Sequence, residues 1–117
     1  VFITSDLSLI APNNSLYDAG KFKDIAYVSS MSGMLGLMRS WASYLGAYNV
    51  RVNALVSGGM HKNSYPEEFI LKNGKQNMLG RMSNTGEYNV AIAFLLSDGS
   101  TYMTGANLVI DGGRTAW

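Results

Sequence analysis

Val50-Arg51-Val52-Asn53-Ala54-Leu55-Val56, closed by Ser57-Gly58-Gly59, is the stretch whose reading decides the fold. Its apolar, largely β-branched character matches a strand buried on both faces of a parallel sheet, and the Ser-Gly-Gly that follows marks a turn. Upstream the period changes. Met31, Met34, Leu35, Met38, Ala42 and Leu45 recur at steps of three and four, so they share one face of a helix of about five turns running from Ala26 to a stop at Gly46. Before it, Val1 to Thr4 reads as another buried strand, continued by Leu7-Ser8-Leu9-Ile10 until Pro12-Asn13-Asn14 breaks it. Asn13 to Asp24 is the one long irregular stretch.

Downstream, Ser64 with Glu67 three residues on predicts a capped helix from Tyr65 to Lys72, ended near Asn73-Gly74. Ser83 or Asn84 caps a further helix whose apolar face is Tyr88, Ala91, Ile92, Leu95 and Leu96, ended by Ser97-Asp98-Gly99. Asn107-Leu108-Val109-Ile110 is the last strand. Strands alternating with helices predict two right-handed crossovers and a three-stranded parallel sheet covered by helices, an α/β fold. A chain that opens inside a strand, with so small a sheet, reads as the C-terminal half of a larger doubly wound domain of Rossmann type, occupying residues 1–117.

Composition agrees. Of 117 residues 47% are hydrophobic, 15% are charged and 13 are glycine, the balance of a packed chain with many tight turns. Nine Lys and Arg against eight Asp and Glu leave a net charge of +1, too weak a field for nucleic-acid binding. Without cysteine there is no disulfide framework and no thiol nucleophile, which suits a reducing, cytoplasmic setting. No apolar run approaches the roughly 20 residues that span a bilayer, so no membrane partner is expected. His61, the single histidine, has no Cys or carboxylate pair nearby, so no metal site is expected.

Tyr27-Val28-Ser29-Ser30-Met31, Gly36-Leu37-Met38-Arg39, Arg51-Val52-Asn53-Ala54-Leu55, Phe94-Leu95-Leu96-Ser97-Asp98 and the run from Thr104 to Gly113 resemble, in that order and spacing, the C-terminal half of the short-chain dehydrogenase/reductase family. Ser-Asp-Leu-Ser-Leu-Ile-Ala-Pro from Ser5 and the closing Asp-Gly-Gly-Arg-Thr-Ala-Trp look most like members associated with nonulosonic, sialic-acid-like sugar biosynthesis. The resemblance implies NAD- or NADP-dependent oxidation or reduction of an alcohol/ketone pair on a sugar-like small molecule, carried by a Ser, a Tyr and a Lys. Ser5 and Tyr27 match the first two, with Ser57, Gly58 and Gly59 beside the nicotinamide. A hydride reaching a carbonyl carbon leaves charge on oxygen, so Tyr27 would supply the proton while Ser5 holds the oxygen.

The third residue is missing. The family's Lys lies four residues after the Tyr, where its charge favours the phenolate and its ammonium bonds the cofactor ribose; here that position is Met31, which has no charge and no donor. Lys21 and Lys23 precede the helix, but nothing in the sequence aims them at Tyr27. Ser57 stands where the family has Pro, and no Thr occurs from Gly59 to Asn63. The glycine-rich turn that receives the pyrophosphate belongs to the family's N-terminal half, which this sequence does not contain, so no cofactor binding is expected of these residues alone. Three readings follow: part of an oxidoreductase, inactive as it stands; a non-catalytic assembly module on the same fold; or a fragment without independent function. Self-association, or association with the absent half, is expected in each. Asn53 reads as a pin for strand-end backbone, and Trp41 and Trp117 as interface aromatics.

Overall fold

A computed structural model describes residues 1–117. Three parallel strands, β1 (Phe2–Ser5), β2 (Ala54–Ser57) and β3 (Asn107–Ile110), lie in the order β1-β2-β3. The register pairs Ser5 with Ser57 and Ser57 with Ile110, so all three strands end at one edge. Helices α1 (Ile25–Leu45), α2 (Glu67–Gly74) and α3 (Asn89–Leu96) complete the fold.

The central strand is buried on both faces, as its composition predicts. Ala54 and Val56 point toward α1, packing with Val52 against Leu35, Met38 and Ala42. Leu55 points the other way, against Tyr88, Ala91 and Leu95. Each fully buried side chain of the size of Met38 or Leu55 contributes about 1.5–3 kcal/mol. Helix α1 begins where the Asp24 carboxylate accepts the Ala26 N–H at 2.7 Å.

Several boundaries differ from those predicted. Leu7 to Ile10 is not strand: Ser5 Oγ and Asp6 Oδ1 both accept the Leu7 N–H and turn Asp6–Ser8 into a single 3₁₀ turn, side-chain acceptors outcompeting a ladder. Val50 to Asn53 precedes the ladder; Asn53 instead ties three segments, its carbonyl accepting from Phe2 N–H, its Nδ2 donating to the Met103 carbonyl and its Oδ1 accepting from Ala106 N–H. Helix α1 passes Gly46 into a 3₁₀ turn, and the left-handed residue that reverses the chain is Asn49, φ 57°. Helix α2 starts at Glu67 without a side-chain cap, because Pro66 disfavours helical backbone at Tyr65. Helix α3 starts five residues late: Glu87 accepts the Asn84 N–H and holds a turn there, and Leu96 ends up exposed. On α1, Met31, Met34 and Leu45 are only half-buried.

Only 22 of 117 residues are buried, and the radius of gyration is 15.5 Å, against about 13 Å for a compact domain of this length. Much of the uncovered surface is apolar, including Leu37, Trp41 and Tyr44 on α1 and Tyr48 in the 3₁₀ turn that follows it. No helix is long and apolar enough to cross a membrane.

Candidate functional site at the strand ends

The carboxyl ends of the strands open onto a cavity of about 350 Å³ whose wall includes Ser5, Tyr27, Ser57, Gly58 and Gly59. Ligands of open parallel α/β sheets bind at this end. Ser5 closes β1, and Ser57, its partner in register, closes β2 and donates from Oγ to the Thr4 carbonyl at 3.1 Å. Tyr27 sits in the first turn of α1. The helix is tied to the sheet by Thr4, whose Oγ1 donates to the Met31 carbonyl at 2.8 Å. Met31 therefore lies one turn beyond Tyr27, but its side chain does not line the cavity.

Ser5 is more engaged than its position at a strand end suggests. Its hydroxyl donates to Asp6 Oδ1 at 2.8 Å and accepts the Leu7 N–H at 3.2 Å, which leaves one lone pair for an incoming donor. Asp6 is buried, and its other oxygen, Oδ2, lies 3.2 Å from Arg114 Nε, an ion pair too oblique to count as a hydrogen bond. Arg114 reaches back from the far end of the sequence through a tight tail. Gly112 and Gly113 take φ of 68° and 87°, which a side chain rarely allows, and the Asp111 carboxylate collects the Gly113 N–H, the Thr115 N–H and Thr115 Oγ1. Burial pushes Asp111 up, but these hydrogen bonds outweigh it and hold the carboxyl below its usual range.

The glycines answer to packing. A Cβ on Gly58 would come within 2.8 Å of Asp111 Cα, and one on Gly59 within 2.8 Å of Asn73 Oδ1. Gly58 is further fixed by its N–H donating to Ile110 and its carbonyl accepting from Tyr88 Oη. In this loop only Ser57 has a side chain, so a nicotinamide placed beside it would meet mainly backbone. For the rest of a dinucleotide the fit is poor. The position that bonds ribose in the family is Met31, and Gly58-Gly59 and Gly112-Gly113 do not open a helix after a strand.

Lys23 corrects one expectation. The sequence aims neither Lys21 nor Lys23 at Tyr27, yet Lys23 Nζ stands 4.1 Å from the centre of the Tyr27 ring and lines the same cavity, while Lys21 turns outward to Asp18. This cation lies over the face of the ring and belongs to a residue four positions before the tyrosine. Sequence reasoning also missed Tyr17, Lys62, Tyr65 and Arg114 in the wall. Burial, the largest influence, keeps the Tyr17 phenol above its usual range despite the nearby Arg114 charge, so it stays a neutral donor. The single histidine, His61, lies next to Lys62 but does not line the wall.

The family model described as enoyl-(acyl carrier protein) reductase matches residues 14–115. The chain belongs to the short-chain dehydrogenase/reductase family. It is 46% identical over 92 residues to trans-4-hydroxycyclohexanecarboxylate dehydrogenase of Sinomonas cyclohexanicum, covering 78% of this chain and 34% of that protein. Against L-rhamnose 1-dehydrogenase (NAD(P)(+)) of Azotobacter vinelandii the identity is 35% over 92 residues, covering 74% and 36%. The short-chain dehydrogenase of Leptospira borgpetersenii solved with bound NAD+ superposes with a TM-score of 0.87 at 31% identity, covering 97% of this chain and 42% of that one. The chain thus spans less than half the length of these short-chain dehydrogenase/reductase relatives. The parallel sheet with helices on both faces is the corresponding part of their Rossmann-type fold.

Proposed function

We propose that this chain is the substrate-binding and proton-transferring half of a cytoplasmic NAD- or NADP-dependent oxidoreductase acting on the alcohol or ketone of a sugar-like small molecule, of the kind found in nonulosonic sugar biosynthesis. The observation that carries it is the meeting of Ser5 and Tyr27 with the Ser57-Gly58-Gly59 loop on one cavity at the carboxyl ends of the strands. The likeness to a rhamnose dehydrogenase and a hydroxycyclohexanecarboxylate dehydrogenase supports a ring-bearing hydroxyl as the reacting group.

A nicotinamide held by the dinucleotide-binding half would supply or accept the hydride. Tyr27 exchanges the proton at the substrate oxygen. Ser5, its proton directed to Asp6 at rest, holds the substrate oxygen by turning that proton toward it, because the single proton of the reacting hydroxyl goes to Tyr27. The same bond from Ser5 holds the carbonyl oxygen in the reverse direction. Lys23 provides the positive charge beside Tyr27 that Met31 does not, without the ribose contact. The uncovered aromatic surface of Trp41 and Tyr44 on α1 and Tyr48 just beyond it supports self-association or pairing with a dinucleotide-binding half.

The second reading, a non-catalytic assembly module, is favoured by Met31 alone. The test is a fusion of these residues behind the dinucleotide-binding half of a relative, assayed for NADH consumption with cyclic and sugar ketones. Turnover that disappears in Tyr27→Phe is expected. Cofactor binding without turnover in any substrate, unchanged by Tyr27→Phe, would favour the assembly module.

A further inference from the structure

The charges around the cavity are sorted. On the outer surface beside it, Lys21 is neutralised by Asp18 and Lys72 by Glu68, each at 2.7 Å. In the wall itself stand Lys23, Lys62 and Arg114 with a single carboxylate, Asp6. That carboxylate is already committed, Oδ1 to Ser5 and the Leu7 N–H and Oδ2 to Arg114. Lys23 and Lys62 form no ion pair, so the cavity carries two uncompensated positive charges in a chain whose net charge is +1.

Arg114 is the most telling of the three. It is only 7% exposed, and a guanidinium is seldom buried without a full set of acceptors. Its Nε faces Asp6 obliquely and has no hydrogen-bond acceptor, and neither terminal nitrogen donates to any group of the chain. A rigid fork of donors, fixed at its base by Asp6 and left open at its tip, matches the two oxygens of a carboxylate or phosphate. Lys62 adds a point charge from the loop that follows Gly58-Gly59, its Nζ 5.9 Å from the centre of the Tyr65 ring, so the cations approach the cavity from the tail and from that loop.

We propose that the substrate of this site carries an anionic group, a carboxylate or phosphate, held by Arg114 and Lys62. This rests on the oxidoreductase reading for what a substrate is, and adds that it is an acid: a hydroxy or keto sugar acid or sugar phosphate. The reacting hydroxyl meets Ser5 and Tyr27 while the anion lies toward Arg114. Arg114 binds and orients; it takes no part in proton transfer.

The test follows amide and Arg side-chain NMR signals of the 117-residue chain during titration with glucuronate, inorganic phosphate, glucose and NAD+. Saturable shifts of Gly59, Lys62 and Arg114 with glucuronate and phosphate, at least tenfold weaker with glucose and weakened at least fivefold by Lys62→Gln, are expected. Because Arg114→Gln alone leaves Asp6 buried and unpaired, the second variant is the double change Asp6→Asn with Arg114→Gln, which should remove the saturable response. Equal binding of glucose, or anion binding indifferent to both variants, would overturn the proposal. NAD+ moving these residues with an affinity above that of glucuronate would assign the cations to the cofactor's pyrophosphate and overturn it as well. In the fusion assay, neutral and acidic ketones reduced equally well would sink the anion site and leave the oxidoreductase reading intact. Anion binding without turnover of any ketone would sink the oxidoreductase reading and leave the anion site standing.

Discussion

Arg114 and Asp6 meet as a buried pair, Nε 3.2 Å from Oδ2, each side chain 6% exposed, although 107 positions separate 114 from 6. The contact fastens the tail across the mouth of the sheet and holds the carboxylate that orients Ser5. Removing one partner strands the other charge. Asp6→Asn or Arg114→Met is therefore expected to destabilise the fold by about 3–5 kcal/mol, while the two combined recover most of that loss. Urea denaturation of the four proteins gives the coupling, and simple additivity of the two single losses would show that the pair is not a unit.

Thr4 is the peg between sheet and helix. Its hydroxyl donates to the Met31 carbonyl at 2.8 Å from a position only 2% exposed. Thr4→Val keeps the shape and removes the bond, with an expected loss of about 1 kcal/mol, whereas Thr4→Ser keeps the donor and loses less from the bond itself. A Thr4→Val protein as stable as the parent in chemical denaturation would mean the contact contributes nothing to holding α1.

Glu87 provides the clearest dependence on acid. Arg81 grips both its oxygens, at 2.8 and 2.7 Å, and the Asn84 N–H adds a third bond. The Arg81 hydrogen bonds first, then the backbone N–H, hold the carboxyl at about 2 instead of its usual 4.5. A carboxylate depressed in the folded state stabilises fully above its unfolded value and loses that contribution as pH falls toward its folded value. The difference in melting temperature between the parent and Glu87→Gln is therefore expected to be largest near neutral pH, to shrink from about pH 5 downward, and to close near pH 2. Salt should reduce it too, because the pair is exposed. A gap that persists unchanged at pH 2 would contradict the assignment.

The sequence carried the skeleton of this molecule better than its site. Leu55 between Ala54 and Val56 announced a strand buried on two faces, and the three-and-four spacing of Leu35, Met38 and Ala42 announced the helix that covers one of them. Local chemistry moved the boundaries: Ser5 and Asp6 supplied acceptors that stop β1, and Pro66 delayed α2. Ser5 and Tyr27, singled out through neighbouring motif residues, do come together on one cavity. Arg114 was not legible, because a single charged residue after two glycines gives no sign of which buried acid it returns to. Lys23 was passed over for a related reason: periodicity stops at the helix start, and the chain just before it has no pattern to follow.

Met31 is where the account is most exposed. If Tyr27 exchanges the proton and the ribose-bonding cation is what this chain lacks, then Met31→Lys in the fusion restores a charge on the same helix face, one turn from Tyr27. Turnover with a keto sugar acid, followed by NADH consumption, is expected to rise about 10- to 100-fold, the effect of one hydrogen bond from a charged donor, and to vanish when Tyr27→Phe is added. A Met31→Lys fusion that binds NADH yet turns over no faster, with Tyr27→Phe changing nothing in that background, would contradict the placement of the reaction at Tyr27.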